Sequence, residues 1–100
     1  MSPPHEERGD FEKALVNYVR FLEKNPQVPL ATEVRFRQAE TLLQFGYAAE
    51  KSGDKVTART RYDQADALYA QVATAKNFEG APQATYQRAV VLARSEKFAE

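Results

Sequence analysis

From Asp10 onward the apolar side chains Phe11, Ala14, Leu15, Tyr18, Phe21 and Leu22 recur at offsets of three and four, the period of one helix face, until Asn25-Pro26 interrupts them. Asp10 suits the N-cap, because its carboxylate can accept from first-turn amides that have no partner inside the helix. The spacing predicts a helix over residues 10–24. Pro29 opens a second run, Leu30, Val34, Ala39, Leu42, Leu43, Phe45, Gly46 and Ala49, which Gly53 closes as a left-handed C′ stop. That run predicts a long helix over 30–52. Asp54 caps a third, over 54–75, in which Ala58, Tyr62, Ala65, Tyr69 and Val72 form a narrow seam facing a neighbouring helix. Asn77-Phe78-Glu79-Gly80-Ala81-Pro82 reads as a linker, and Pro82 suits the first turn of a fourth helix over 82–95 with Tyr86, Ala89, Val90, Leu92 and Ala93. Nothing alternates with the period of two that marks a half-buried strand, so the predicted class is all-α.

The chain also repeats itself. Gly9-Asp10 recurs as Gly53-Asp54, Ala14 as Ala58 and Tyr18 as Tyr62, each 44 residues on, and Phe21 is answered by Ala65. A fainter third copy begins at Glu96-Lys97-Phe98. Gly9, Asp10, Phe11, Ala14, Tyr18 and Pro26 resemble the second helix of a tetratricopeptide repeat and the proline that ends it. Leu42, Phe45 and Gly46 resemble the first helix, and Ala65 the small packing position late in the second. The period of 43 to 44 is longer than the usual 34, and is similar to the kinesin-light-chain type or to repeats of bacterial envelope and secretion proteins. Lys55 and Ala49 depart from the family pattern, which prefers aromatic residues there. The resemblance implies antiparallel helix pairs stacked as a right-handed superhelix. Residues 1–8 then read as a disordered or extraneous start, 9–28 as a partial unit, 29–76 as a full unit and 82–100 as a partial one, a window cut from a longer solenoid.

In this family the first helix of each unit lines a concave groove that holds a peptide or a partner helix. The resemblance therefore places partner binding on the second and fourth helices. Counted from Gly46 the positions are Glu40, Leu43, Gln44, Tyr47, Glu50 and Lys51; counted from Ala89 they are Gln83, Tyr86, Gln87, Val90, Ala93 and Arg94. The same residues also read as the solvated side of amphipathic helices. Leu43 and Tyr47 stand where a chaperone-type groove would carry its Lys and Asn, so a clamp for a chaperone's terminal carboxylate is not expected. Arg35, Arg37, Arg59 and Arg61 are a formal phosphopeptide cluster, but Glu33 lies four residues before Arg37 and Asp63 four after Arg59, the spacing of a solvated, charge-laced face.

Composition narrows the function further. One hundred residues, 43% hydrophobic and 28% charged, make one domain. The 14 basic and 14 acidic side chains cancel, which disfavours nucleic acid and anionic membranes as partners. With no cysteine and one histidine, His5 beside Glu6 and Glu7, the sequence gives no expectation of a metal site, a cofactor or a thiol nucleophile. No nucleophile motif, phosphate loop or paired-carboxylate cleft stands out. No run is long enough to span a membrane. The compartment stays open between the cytoplasm and, after loss of a leader, the bacterial periplasm. The expected function is a non-catalytic scaffold for a protein or peptide partner. The alternatives are a self-association module, pairing through uncovered solenoid ends as a homodimer, and a targeting or regulatory segment of a larger enzyme.

Overall fold

In the computed structural model, which describes residues 5–26 and 30–96, the chain forms four helices: α1 (His5–Lys24), α2 (Leu30–Lys51), α3 (Lys55–Ala73) and α4 (Ala81–Glu96). No strand occurs among the described residues. The last three helices match the expected spans to within two residues. Pro29, residues 1–4 and the short third copy at Phe98 lie outside the described residues.

The first helix differs from expectation. It starts at His5 and runs straight through Gly9 and Asp10, so residues 5–8 are helical and Asp10 is not a cap. The two Gly-Asp pairs therefore adopt different conformations. Gly53 has φ +86°, and its amide donates to the Glu50 carbonyl at 3.0 Å while the Asp54 amide reaches the Ala49 carbonyl at 2.9 Å. These are the two bonds of a Schellman closure, which satisfies carbonyls that the end of α2 leaves open. Asp54 then caps α3, its side chain accepting from the Thr57 amide at 3.1 Å. The Thr57 contacts, with Arg8 adding a smaller contribution, hold the Asp54 carboxyl below the usual carboxylate range. Glycine permits a break without compelling one. At Gly9 the helix continues, which carries Arg8 to Asp54 at 3.3 Å and to the Thr57 hydroxyl at 3.2 Å.

This contrast gives opposite expectations for one substitution. Gly53→Ala should destabilise by about 1–2 kcal/mol, the cost of placing a side chain in the left-handed region. Gly9→Ala should stabilise by about 0.5–1 kcal/mol, because the site is helix interior and a Cβ there meets nothing within 4 Å. Urea melts of both variants check it, and a loss at both sites would mean that Gly9 also sits at a turn.

Packing follows chain order, α1 on α2, α2 on α3 and α3 on α4, in a body of 40 × 27 × 17 Å. The expected α3 seam is the core: Ala58, Tyr62, Ala65, Tyr69 and Val72 are buried, against Ala39, Leu42, Leu43 and Ala49 of α2 and Ala84 and Val91 of α4. Small residues alternate with large ones along α3 so that its neighbours can approach. Gly46 is buried, and a Cβ there would overlap the ring of Tyr62. On the other side of α2, Phe11 of α1 stacks on Phe45, with ring centres 5.2 Å apart. The turn before α4 also folds back, Phe78 meeting Phe36 edge-on at 5.6 Å and Phe36 meeting Tyr69 at 6.1 Å.

Candidate functional site

Two carboxylates on α2 organise the surface that α2 shares with α4. Glu40 accepts the Tyr69 hydroxyl from α3 at 2.5 Å and the Gln87 amide from α4 at 3.4 Å. Glu50 accepts the Tyr62 hydroxyl at 2.6 Å and a guanidinium N–H of Arg94 at 3.2 Å. Each carboxylate thus ties three helices together, and the charge strengthens bonds that are partly shielded from water. The arrangement follows from helix direction. In an antiparallel pair facing positions run in opposite senses, so the earlier glutamate meets the later tyrosine. Arg94 also lies over the ring of Tyr47, 5.0 Å from its centre, and Tyr47 meets Tyr62 edge-on at 6.0 Å. On its other flank α4 is held to α3 by Arg88 on Asp66 at 3.0 Å and by Ser95 on Asp63 at 2.7 Å.

The structure brings together Glu40, Tyr47, Glu50, Gln87 and Arg94, all partly buried and joined directly or through Tyr62 and Tyr69. Gln44, Lys51, Gln83 and Ala93 are exposed, and Tyr86 is 65% exposed. Val90 is half-buried. Leu43 is 1% exposed and belongs to the core. Ala89, counted as the equivalent of Gly46, is exposed too, because α4 turns Ala84 and Val91 toward α3 instead. The expected pairs Glu33–Arg37 and Arg59–Asp63 form, at 3.2 and 3.9 Å. Tyr62 and Tyr69, read from the sequence as packing alone, also carry the hydroxyls that hold the glutamates. The signal that could have found them is a pair of glutamates on one helix facing, in reversed order, a pair of tyrosines on the antiparallel next one.

Burial, reinforced by the adjoining glutamates, pushes the phenols of Tyr62 and Tyr69 well above the ordinary tyrosine value. The folded state therefore favours the neutral phenol. Their contribution to stability is present below pH about 10, where the unfolded chain also keeps its protons, and is lost as pH rises above that value. In an alkaline titration, tyrosinate absorbance from these two residues should appear only together with loss of helical circular dichroism. Tyr62→Phe and Tyr69→Phe should each lack its share of that late step. Ionisation of both while the helices remain intact would contradict the assignment.

Among the described residues no group of three or more His, Asp or Glu side chains is placed to hold a metal ion, and no helix is long and apolar enough to cross a membrane. Comparison with protein-family models, with curated proteins and with solved structures finds no match to this chain.

Proposed function

We propose that the chain is a tetratricopeptide-like, non-catalytic scaffold that receives a peptide or a helix of a partner protein along α2 and α4. The observation that carries this reading is the pair of cross-links Gln87–Glu40 and Arg94–Glu50, which set two helices side by side at fixed spacing. Their glutamates are already engaged by partners within the fold. Gln44, Lys51, Gln83 and Tyr86 stand outside that network with polar groups and an exposed aromatic ring to offer. Tyrosine in particular supplies contact area with little rotamer entropy to lose. The close approach of Gly46 to Tyr62 supports the family likeness, since it is the small-against-large packing that such repeats use.

Selection of displayed peptides, followed by nuclear magnetic resonance mapping on the whole chain, tests the reading. Selected peptides should shift Gln44, Lys51, Gln83 and Tyr86. Tyr86→Ala and Lys51→Glu should each weaken binding about tenfold, a change of roughly 1.4 kcal/mol, and leave the melting temperature unchanged. Peptides that shift only α1, or variants that bind as well as the parent, would count against the groove.

A second reading is self-association, favoured by apolar side chains on the outermost helices: Val16 and Val19 of α1 and Leu92 of α4 are 42–48% exposed. Sedimentation across concentration separates the two, since only self-association makes the mass rise.

A further inference from the structure

On the far side of α2, α1, α2 and α3 line a cleft that the partner groove does not use. Gln38 and Tyr47 are nine residues apart on α2, about half a turn around its axis, so the cleft and the groove occupy different faces. The cleft has a volume of about 370 Å³, within the range of small-molecule sites. Leu15 of α1, Leu42 of α2 and Leu68 of α3 supply its apolar wall, and Gln38, Arg61 and Gln64 its polar groups.

Arg61 is the unusual member. Its guanidinium lies over the ring of Phe45, 4.4 Å from the centre, and one terminal N–H donates to Gln64 Oε1 at 2.9 Å. Its Nε–H is shielded from solvent without an acceptor, and Gln38 Oε1 is shielded without a donor. Like Arg20 and Arg35, Arg61 forms no ion pair among the described residues, but of these three it alone lines the cleft. Shielding a donor and an acceptor that are both unpaired is unfavourable. A site that keeps both beside a leucine wall is complementary to a ligand that brings an anionic acceptor on an aliphatic body.

We propose that this cleft binds a small amphipathic carboxylate. The aliphatic chain lies against Leu15, Leu42 and Leu68, and the carboxylate accepts from the Arg61 Nε–H. Half a turn of the Gln38 side-chain amide exchanges its oxygen for its NH2, which supplies a second donor to the same carboxylate and relieves the unpaired oxygen. The chemistry is shared by a free fatty acid and by the C-terminus of a peptide ending in an aliphatic residue. The site stands independently of the groove reading.

The test titrates the whole chain, isotope-labelled, with octanoate, octanamide, 1-octanol and a short peptide ending in leucine, as its free acid and as its amide. Octanoate should give saturable shifts of the Arg61 Nε–H and of the Leu15, Leu42 and Leu68 methyl groups, with octanamide and octanol about tenfold weaker. The peptide acid binding more tightly than octanoate would assign the site to a chain terminus; the reverse order would assign it to a free acid. Arg61→Gln should abolish the shifts. Because Arg61 also stacks on Phe45, Arg61→Lys is measured beside it: it keeps the charge and the stem but loses the Nε–H, and should weaken octanoate several-fold with circular dichroism unchanged. Equal binding of octanoate, octanamide and octanol, undiminished binding by Arg61→Lys, or an absence of saturable shifts at the cleft would overturn the proposal.

Discussion

Tyr69→Ala should remove about 3–5 kcal/mol of stability. For a domain of this size the whole reserve is about 5–15 kcal/mol, so the variant sits near its unfolding threshold. The loss has two sources. Tyr69 is fully buried at the junction of all the helices that meet α3, against Phe36 and the core residues around it, and truncation leaves a cavity that rigid helices close poorly. It also strips Glu40 of the hydroxyl that helps hold it in a partly buried position. Tyr69→Phe separates the two, since it keeps the ring and should cost about 1 kcal/mol, the net worth of a single hydrogen bond. Urea denaturation of both variants makes the comparison. Equal losses for alanine and phenylalanine would place the energy in the hydroxyl and contradict the packing account.

Gly46→Ala should also destabilise, by up to about 2 kcal/mol, although alanine is the better helix former by about 1 kcal/mol. The reason is that the new methyl must displace the ring of Tyr62, which is itself fully buried. Overfilling of this kind costs about 1–3 kcal/mol. Gly46→Leu extends the overlap and should cost more than alanine. The coupling is specific, so a double variant with Tyr62→Leu should lose about 1 kcal/mol less than the two single losses added together. If Gly46→Ala were stabilising, the close approach of α2 and α3 would be wrong.

The sequence made α2, α3 and α4 readable because each carries its own punctuation. Gly53 and Asp54 end one helix and cap the next, and Pro82 falls in a first turn. The seam from Ala58 to Val72 was equally plain, since its four-three spacing leaves one stripe to bury. The start of α1 was not. A Gly-Asp pair is compatible with a turn or with helix interior, and here the difference lies in contacts some 46 residues away, between Arg8 and Asp54. The candidate groove was legible only as a set of positions. Which of them tie helices together depends on partners across space, and Leu43 shows the limit: counting along the helix assigns it to the surface, yet α2 turns it into the core. Arg61 was invisible for the same reason, having been grouped with charges that do find solvent and carboxylates.

Chain-order packing has a kinetic consequence. Three residues, Ser52, Gly53 and Asp54, join α2 to α3, and the described stretch from Thr74 to Gly80 joins α3 to α4. Most of the burial is thus reached by closing short loops, whose entropy cost is small and grows only slowly with length. Topologies of low contact order fold fast, on the microsecond to millisecond scale of helical proteins. The α2–α3 hairpin, with its Schellman closure, its cap and the Gly46–Tyr62 contact all within a span of 17 residues, is the natural nucleus on which α4 and α1 dock. Substitutions in that hairpin then slow folding, whereas those that loosen only α1 speed unfolding.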